Sequence, residues 1–422
     1  MLQVAIIGGG IAGLSAARHL EGKAEVTLFE RSEELGGHAR TLHCRGIPID
    51  YGFIVFNRAR YPGLSRMFAE LGVRSQLAEM SFGVSAADGS FGYSTRTLRS
   101  LYADSSSLTE LAHHRMVIDL VSFLHRARRD HRRRVACGLT LKEYLDLIGA
   151  RPRLRDRFVY PLAGALWSAG HGDVLDFPAE VFLGFLYIHG MLRPAFASPW
   201  RTVVGGSKTY VDALVDSLAR VHFRCAASVR RIRRTPHTVC VELESGEMIT
   251  ADRLIICTHA NQAVSMLGSE SHPQIDALKH IRYDENRVVV HTDETALPVN
   301  RAARAAWNYR VSGSGKVAVT YWCNKLQKIS ATTHYMVTLN PNPSIPIDPT
   351  LILHQTTMSH PQFDLAALSA RRTLAQLQGQ QYTYFAGAYF GHGFHEDGFR
   401  SGFAAAAKLL ADHASTSETA VA

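Results

Sequence analysis

At 422 residues the chain is long enough for two or three domains of roughly 100–200 residues each, with a large buried core. A composition that is 46% apolar and 20% charged excludes a disordered or fibrous chain. The formal net charge of +9 excludes an acidic solvating chain and leaves a polyanionic partner open. Cys44, Cys137, Cys225, Cys240, Cys257 and Cys323 are irregularly spaced and form no Cys-x-x-Cys pair. Neither a zinc site nor a disulfide framework is therefore expected, and no metal is assigned. No leader precedes the first strand, and no apolar run reaches the roughly 18 residues a spanning helix needs. The longest, 179–192, lies between Pro178 and Pro194. These features predict a cytoplasmic protein, at most peripheral to a membrane.

Residues 4–7 form an apolar run of the kind a buried parallel strand shows. Gly8-Gly9-Gly10-Ile11-Ala12-Gly13 follows at once, 14–20 reads as a helix, and a second strand at 25–29 ends in Glu30. Strand, glycines, helix, strand and acid in this order make a dinucleotide-binding βαβ unit. Gly8 allows the tight turn, Gly10 lets backbone approach a pyrophosphate, and Gly13 lets the helix pack on the strand. The helix end at Ile11 and Ala12 presents free N–H groups to phosphate charge. Glu30, 22 residues after Gly8, stands where an acid bonds the ribose hydroxyls.

Residues 61–204 read as mainly helical, with a stripe of Leu111, Val117, Leu120, Val121 and Leu124. Residues 276–379 open with strand-like stretches at 288–292, 317–322 and 335–339, then loops at 340–343 and 344–349. Gly313-Ser314-Gly315-Lys316 is no phosphate loop, because the leading Gly is missing and Val317 follows the Lys. Arginines cluster at 126–134, at 151–157 and at 230–234. Solvated faces explain them, as does docking on an anionic membrane surface or an acidic acyl carrier. No nucleic-acid recognition motif accompanies them, so no nucleic acid is expected as partner. Residues 384–387 look like a last buried strand, followed by GAYFGHGFHEDGFRSG at 387–402 and a helix over 403–410.

The string Glu30-Arg31-Ser32-Glu33-Glu34-Leu35-Gly36-Gly37-His38 resembles a motif of FAD enzymes in the flavin amine oxidase and phytoene desaturase superfamily. Further strings recur with it: Asp-x-Gly-Phe-Ile-Val-Phe-Asn at 50–57, Leu-Asp-Phe-Pro at 175–178, Trp-Asn-Tyr at 307–309, and the final His-Glu-Asp-Gly-x-Arg-Ser. Together they resemble a bacterial FAD-dependent amine-oxidoreductase-like branch associated with cyclopropane fatty-acid synthases and lipid modification. The resemblance spans essentially the whole chain. It implies an α/β fold: a Rossmann-like FAD-binding domain of the amine oxidase and glutathione-reductase type, interleaved with an α+β substrate domain. The cofactor domain takes 1–60, 205–275 and 380–422, and the substrate domain takes 61–204 and 276–379.

The resemblance also implies site residues. Gly36 and Gly37 carry a second loop past the phosphates, and His38 stands where most members have Arg, a stronger phosphate contact. Gly52 and Phe53 lie in the loop that brings backbone to the isoalloxazine. Val229, in 223–232, belongs to the strand whose backbone meets the adenine. Thr258 ends the strand at 251–258 that returns to the cofactor. Gly387, Glu396, Asp397 and Gly398 match the segment that lays a helix N-terminus under the flavin. Ala388 stands where members usually carry an acid for a ribityl hydroxyl. No Cys lies in that segment, so FAD is expected to be non-covalent.

Tyr389, His392 and His395 lie on the flavin-covering segment and are the catalytic candidates; a structural histidine is as good an account of either His. Trp167, Trp307, Tyr309, Tyr321 and Trp322 supply apolar faces, although a core position explains any one alone. The leading expectation is hydride transfer from an apolar, lipid or acyl-chain substrate to flavin N5, giving desaturation. The competing expectations are a small-molecule amine oxidase, a flavin isomerase without net oxidation, and a flavin-binding accessory protein. No second GxGxxG unit follows, which favours O₂ or an external carrier over a dedicated NADPH domain.

Overall fold

The computed structural model describes residues 1–192, 199–235, 237–268, 272–311, 318–343 and 345–421. The strings at 313–316 and Val317 lie outside them, as do Pro194 and Ser344.

The first strand, Gln3–Ile7, is the centre of a five-stranded parallel sheet. Its neighbours in order are Val221–Arg224, Glu25–Phe29, Gln3–Ile7, Arg253–Ile256 and Thr383–Phe385. Parallel strands need both faces covered, and the alternation within Gln3–Ile7 divides two cores between them. Val4 and Ile6 pack with the helix Ile11–Leu20, whereas Ala5 and Ile7 pack with the antiparallel ribbon Val229–Arg234, Val239–Leu243 and Met248–Ala251.

The last helix, His395–Val421, lies directly on Ile11–Leu20. A β-carbon on Gly402 would fall 1.9 Å from the carbonyl oxygen of Ala12, and one on Gly398 would fall 2.9 Å from Ile11 Cγ2. Ser15 Oγ donates to the Phe399 carbonyl across the same contact (2.8 Å). The two ends of the chain are thus one packed unit.

A seven-stranded mixed sheet forms the second layer. Its order is Ile352–Pro361, Tyr283–His291, Met336–Leu339, Ala318–Trp322, Trp307–Val311, Phe82–Ala86 and Gly92–Ser94. The helices Leu111–Arg132, Leu141–Leu147, Tyr160–Trp167 and Ala179–Ile188 share a large apolar core with it. No helix among the described residues is long and apolar enough to cross a membrane.

Four sequence expectations need correction. The stretch 223–232 is not one strand: Ala226 adopts φ 50°, so Val221–Arg224 joins the parallel sheet and Val229–Arg234 the ribbon. The stretch 251–258 is likewise two strands, parted at Asp252, whose carboxylate accepts from the Gln3 N–H (2.8 Å). In Leu111–Arg132, Leu111 and Val121 are exposed, and the buried face includes His113 and Asp130. Those polar groups can be buried because His113 bonds the Leu101 carbonyl and Asp130 accepts from Tyr144. The last helix begins at His395 rather than at 403.

The end-to-end contact has a direct test. Gly402→Ala should cost about 2 kcal/mol or more, because the added carbon meets backbone that has to move. Gly172→Ala, with nothing within 4 Å of the new carbon, should leave stability unchanged or slightly raised. Thermal denaturation of the two variants checks both.

Candidate active site

The glycine turn at the head of Ile11–Leu20 is built without room to spare. Gly8 adopts φ 105°, and a β-carbon there would lie 3.0 Å from the Cys257 carbonyl group. On Gly13 it would meet Gly8 O at 1.9 Å, which explains how helix and strand approach so closely. Gly37, at φ 57°, passes over Gly10: a β-carbon on Gly37 would lie 2.9 Å from Gly10 Cα. Gly36 N–H donates to the Gly9 carbonyl and locks the two loops together (2.8 Å).

No side chain caps the helix Ile11–Leu20. Its first-turn N–H groups, at Ile11, Ala12 and Gly13, are left for an anion. Glu30 closes the end of the second strand, its carboxylate accepting from the N–H groups of Gly9 (2.7 Å) and Ser32 (2.9 Å). Val229 opens the ribbon two residues after Ala227, whose N–H donates to the Glu30 carbonyl (2.9 Å). Arg31 is exposed beside the acid. An uncapped helix end, a glycine cradle and an acid at the strand end are the donor set that a dinucleotide needs, so the residues fit FAD.

A cavity wall adjoins this cradle. His38, His259, His360 and His395 keep accessible surface, yet desolvation lowers every one of their pKa values. Groups that are enclosed and still accessible line an internal space. Desolvation holds His259, His360 and His395 at about 3, well below the ordinary 6.5. His38 is the hub, with its ring 5.6 Å from His259 and 5.5 Å from His360. His259 follows Thr258, which sits at the C-terminal end of a parallel strand next to Gly8, and it stacks on Tyr283 (4.3 Å). His395 stacks on Phe53 (3.9 Å) and shares a hydrogen bond with Tyr210 Oη (2.5 Å). A β-carbon on Gly52 would collide with the His38 carbonyl at 2.0 Å, so the Gly52–Phe53 loop is pressed on the His38 loop.

Of the three catalytic candidates, only His395 belongs to this wall. Tyr389 is 1% exposed and packs in the apolar core beneath the sheet, with no partner for its hydroxyl among the described residues. Its ring also fills the space beside Gly387, whose N–H donates to Ser401 Oγ (2.9 Å). His392 turns to the helical layer, near Phe185 and Gly184, with Asp397, Arg371 and His131 as its ionisable neighbours.

Glu396 and Asp397 are bound to protein backbone. Glu396 accepts from the N–H groups of Gly63 and Leu64 (2.9 Å each), at the start of the helix Pro62–Glu70. Asp397 accepts from those of His392 and Phe394 (3.0 Å each). Gly398 then lets the helix sit on Ile11.

Sequence reasoning missed His259, His360 and Asp50. The position of His259, just past a strand end in the parallel sheet, was a usable signal. Asp50 is fully buried, and its carboxylate accepts from Thr41 Oγ1 (2.6 Å), Ser207 N–H (2.7 Å) and Gln327 Nε2 (3.0 Å). Burial raises its pKa to about 7 against those bonds. It ties three separate chain segments together behind the cavity. Among the described residues no cluster of His, Cys, Asp and Glu could hold a metal ion.

Residues 11–329, more than half of the chain, match the family of flavin containing amine oxidoreductases. The chain belongs to this family. Its two-domain α/β fold is that of the family, and the glycine cradle fits a non-covalently held FAD. It is 42% identical over 72 residues to coproporphyrinogen III oxidase of Mycobacterium tuberculosis, a match covering 16% of each chain. To (S)-6-hydroxynicotine oxidase of Paenarthrobacter nicotinovorans it is 26% identical over 273 residues, 62% of this chain and 61% of that one. The matches to these curated relatives thus span about a sixth and three fifths of their lengths. Among solved structures, a cofactor-redesigned putrescine oxidase superposes with a TM-score of 0.71 at 15% identity, over 97% of this chain and 99% of that one. A fatty acid isomerase from P. acnes superposes with 0.70 at 15%, over 96% and 98%. At that identity both show the fold alone.

Two outcomes follow from the site. A β-carbon on Gly10 has ordinary clearance, 3.7 Å from Gly37 Cα. Gly10→Val should therefore fold and yet purify colourless, with FAD binding weakened at least a hundredfold in a fluorescence titration. The buried histidines set a pH dependence. The unfolded chain takes up protons below 6.5, whereas folded His259, His360 and His395 resist until about 3. Stability therefore rises with pH through that window and is lost on acidification. The melting temperature of the apoprotein should drop between pH 7 and pH 5, and His259→Phe should flatten the drop.

Proposed function

We propose that the protein oxidises a neutral, largely apolar amine at its C–N bond, with 1–60, 205–275 and 380–422 holding the cofactor and 61–204 and 276–379 enclosing the substrate. Bound FAD supplies the hydride acceptor at N5. The chain's own residues orient the substrate, exclude water and keep the wall uncharged. The observation that carries the reading is the lack of negative charge at this wall. Glu30, Asp50, Glu396 and Asp397 all spend their carboxylates on protein donors. No carboxylate is among the groups acting on His38, His259, His360 or His395. Nothing there pairs with an ammonium, so the amine binds as its free base, the form that can lose hydride.

Tyr309 and Tyr321 on the large sheet are enclosed yet partly accessible. The family's own description as amine oxidoreductases, with a hydroxynicotine oxidase among the relatives, favours C–N oxidation over the acyl-chain desaturation expected first. Desaturation of a lipid or acyl chain remains the second reading, because an uncharged aromatic wall suits it equally and a fatty acid isomerase shares the fold.

Several arginines of the second and third runs are spent on internal ion pairs. Arg151 pairs with Asp119, Arg153 with Glu110, Arg155 with Asp146, and Arg230 and Arg233 with Glu242. Within this proposal, an anionic membrane or carrier would meet the outer face of Leu111–Arg132, where Arg115 is exposed one turn from both Leu111 and Ile118.

Anaerobic mixing with apolar amines, acyl chains and lipids, followed by flavin bleaching, tests the reading. An amine should bleach the flavin, with kcat/KM rising about tenfold per pH unit below the amine's own pKa. Bleaching by acyl substrates alone contradicts it. A flat pH profile with an amine contradicts free-base binding.

A further inference from the structure

A chain of side-chain amides, with Asn286 buried, fixes the proton of one histidine. The Arg287 backbone N–H donates to Asn340 Oδ1 (3.0 Å). Asn340 must then turn its nitrogen to Asn286, and Nδ2 donates to Asn286 Oδ1 (2.7 Å). Asn286 in turn presents its own Nδ2, which donates to the Asp284 carbonyl (3.2 Å) and to His360 Nδ1 (3.1 Å). A ring nitrogen that accepts carries no proton, so neutral His360 carries its proton on Nε2. Every assignment follows from one backbone N–H, which can only donate.

The facing histidine is fixed from the other side. His38 Nε2 lies 3.1 Å from the Ser359 carbonyl, which can only accept. His38 is therefore protonated at Nε2, and its Nδ1 is bare. The two rings are 5.5 Å apart. Among the described residues neither His360 Nε2 nor His38 Nδ1 has a protein partner, and neither atom is sealed from the accessible surface. Both belong to rings on the cavity wall beside the Gly10–Gly37 cradle. The wall thus carries one uncharged donor and one uncharged acceptor whose positions are set before any ligand arrives.

We propose that His360 is a cofactor-binding residue, whose Nε2–H together with the bare Nδ1 of His38 hydrogen-bonds the polar groups of bound FAD, and that Asn286 is a positioning residue acting through it. A guanidinium at position 38 would offer donors only. The histidine pair offers both, and it does so without charge. It matches a ligand that presents carbonyls and hydroxyls as well as N–H groups. The proposal rests on the FAD assignment above and is independent of which substrate is oxidised.

The test is a titration of apoprotein with FAD, read by flavin fluorescence, with the reduction potential of the bound flavin measured alongside. His360→Phe keeps the ring and removes the donor, and should weaken binding about tenfold and shift the potential. His360→Gln restores an N–H donor and should recover most of the affinity. Asn286→Leu should weaken binding about threefold, and Asn286→Leu with His360→Phe should be no worse than His360→Phe alone. Unchanged affinity and potential in His360→Phe would overturn the proposal, as would additive losses in the double variant or a Gln variant no better than Phe. A parent protein that binds no FAD would instead overturn the cofactor assignment.

Discussion

The carbonyl oxygen of Ala12 occupies the space where any side chain at position 402 would begin. That contact holds the first helix of the chain against the last. Because it is backbone against backbone, it fixes the distance between the two helices with little tolerance. Everything at the cofactor cradle is referred to it. The first helix carries Gly10 and the uncapped N–H groups, and the last begins with His395 on the cavity wall. Glu396 extends the same geometry outward by bonding the start of Pro62–Glu70. Acids that resemble flavin contacts in sequence hold protein segments to each other in the structure.

Burial without charge is the second organising fact. Desolvation is the largest cause acting on His38, His259, His360 and His395, and the Coulombic causes only add to it. The histidines therefore behave as polar, neutral wall. Neutral groups in an enclosed site need hydrogen-bond partners whose directions agree, and the amide chain from Arg287 to His360 supplies them. A space lined this way favours ligand groups that are polar and uncharged.

The sequence made the local parts of this account readable. The βαβ unit, the Gly36–Gly37 loop and the closing segment at 387–402 are written in short strings whose glycines have one physical explanation each. Less was readable where the structure depends on distant partners. His360 lies on Ile352–Pro361, a strand of mostly polar residues that only its pairing with Tyr283–His291 makes regular. The buried face of Leu111–Arg132 includes a histidine and an aspartate, so hydrophobic periodicity found Leu120 and Leu124 but misplaced Leu111 and Val121. The break at Ala226 needs a positive φ at a residue that seldom adopts one. Tyr389 adjoins the expected flavin segment and still faces the core, because the short turn at Ala388–Phe390 rotates it inward.

Hydrogen exchange with and without FAD tests the two-ended cofactor site most directly. Amides at 8–14, 36–39, 256–260 and 395–402 should gain protection together when FAD binds, at the same FAD concentration. Protection confined to the first forty residues, with 256–260 and 395–402 unchanged, would contradict a site built from both ends of the chain.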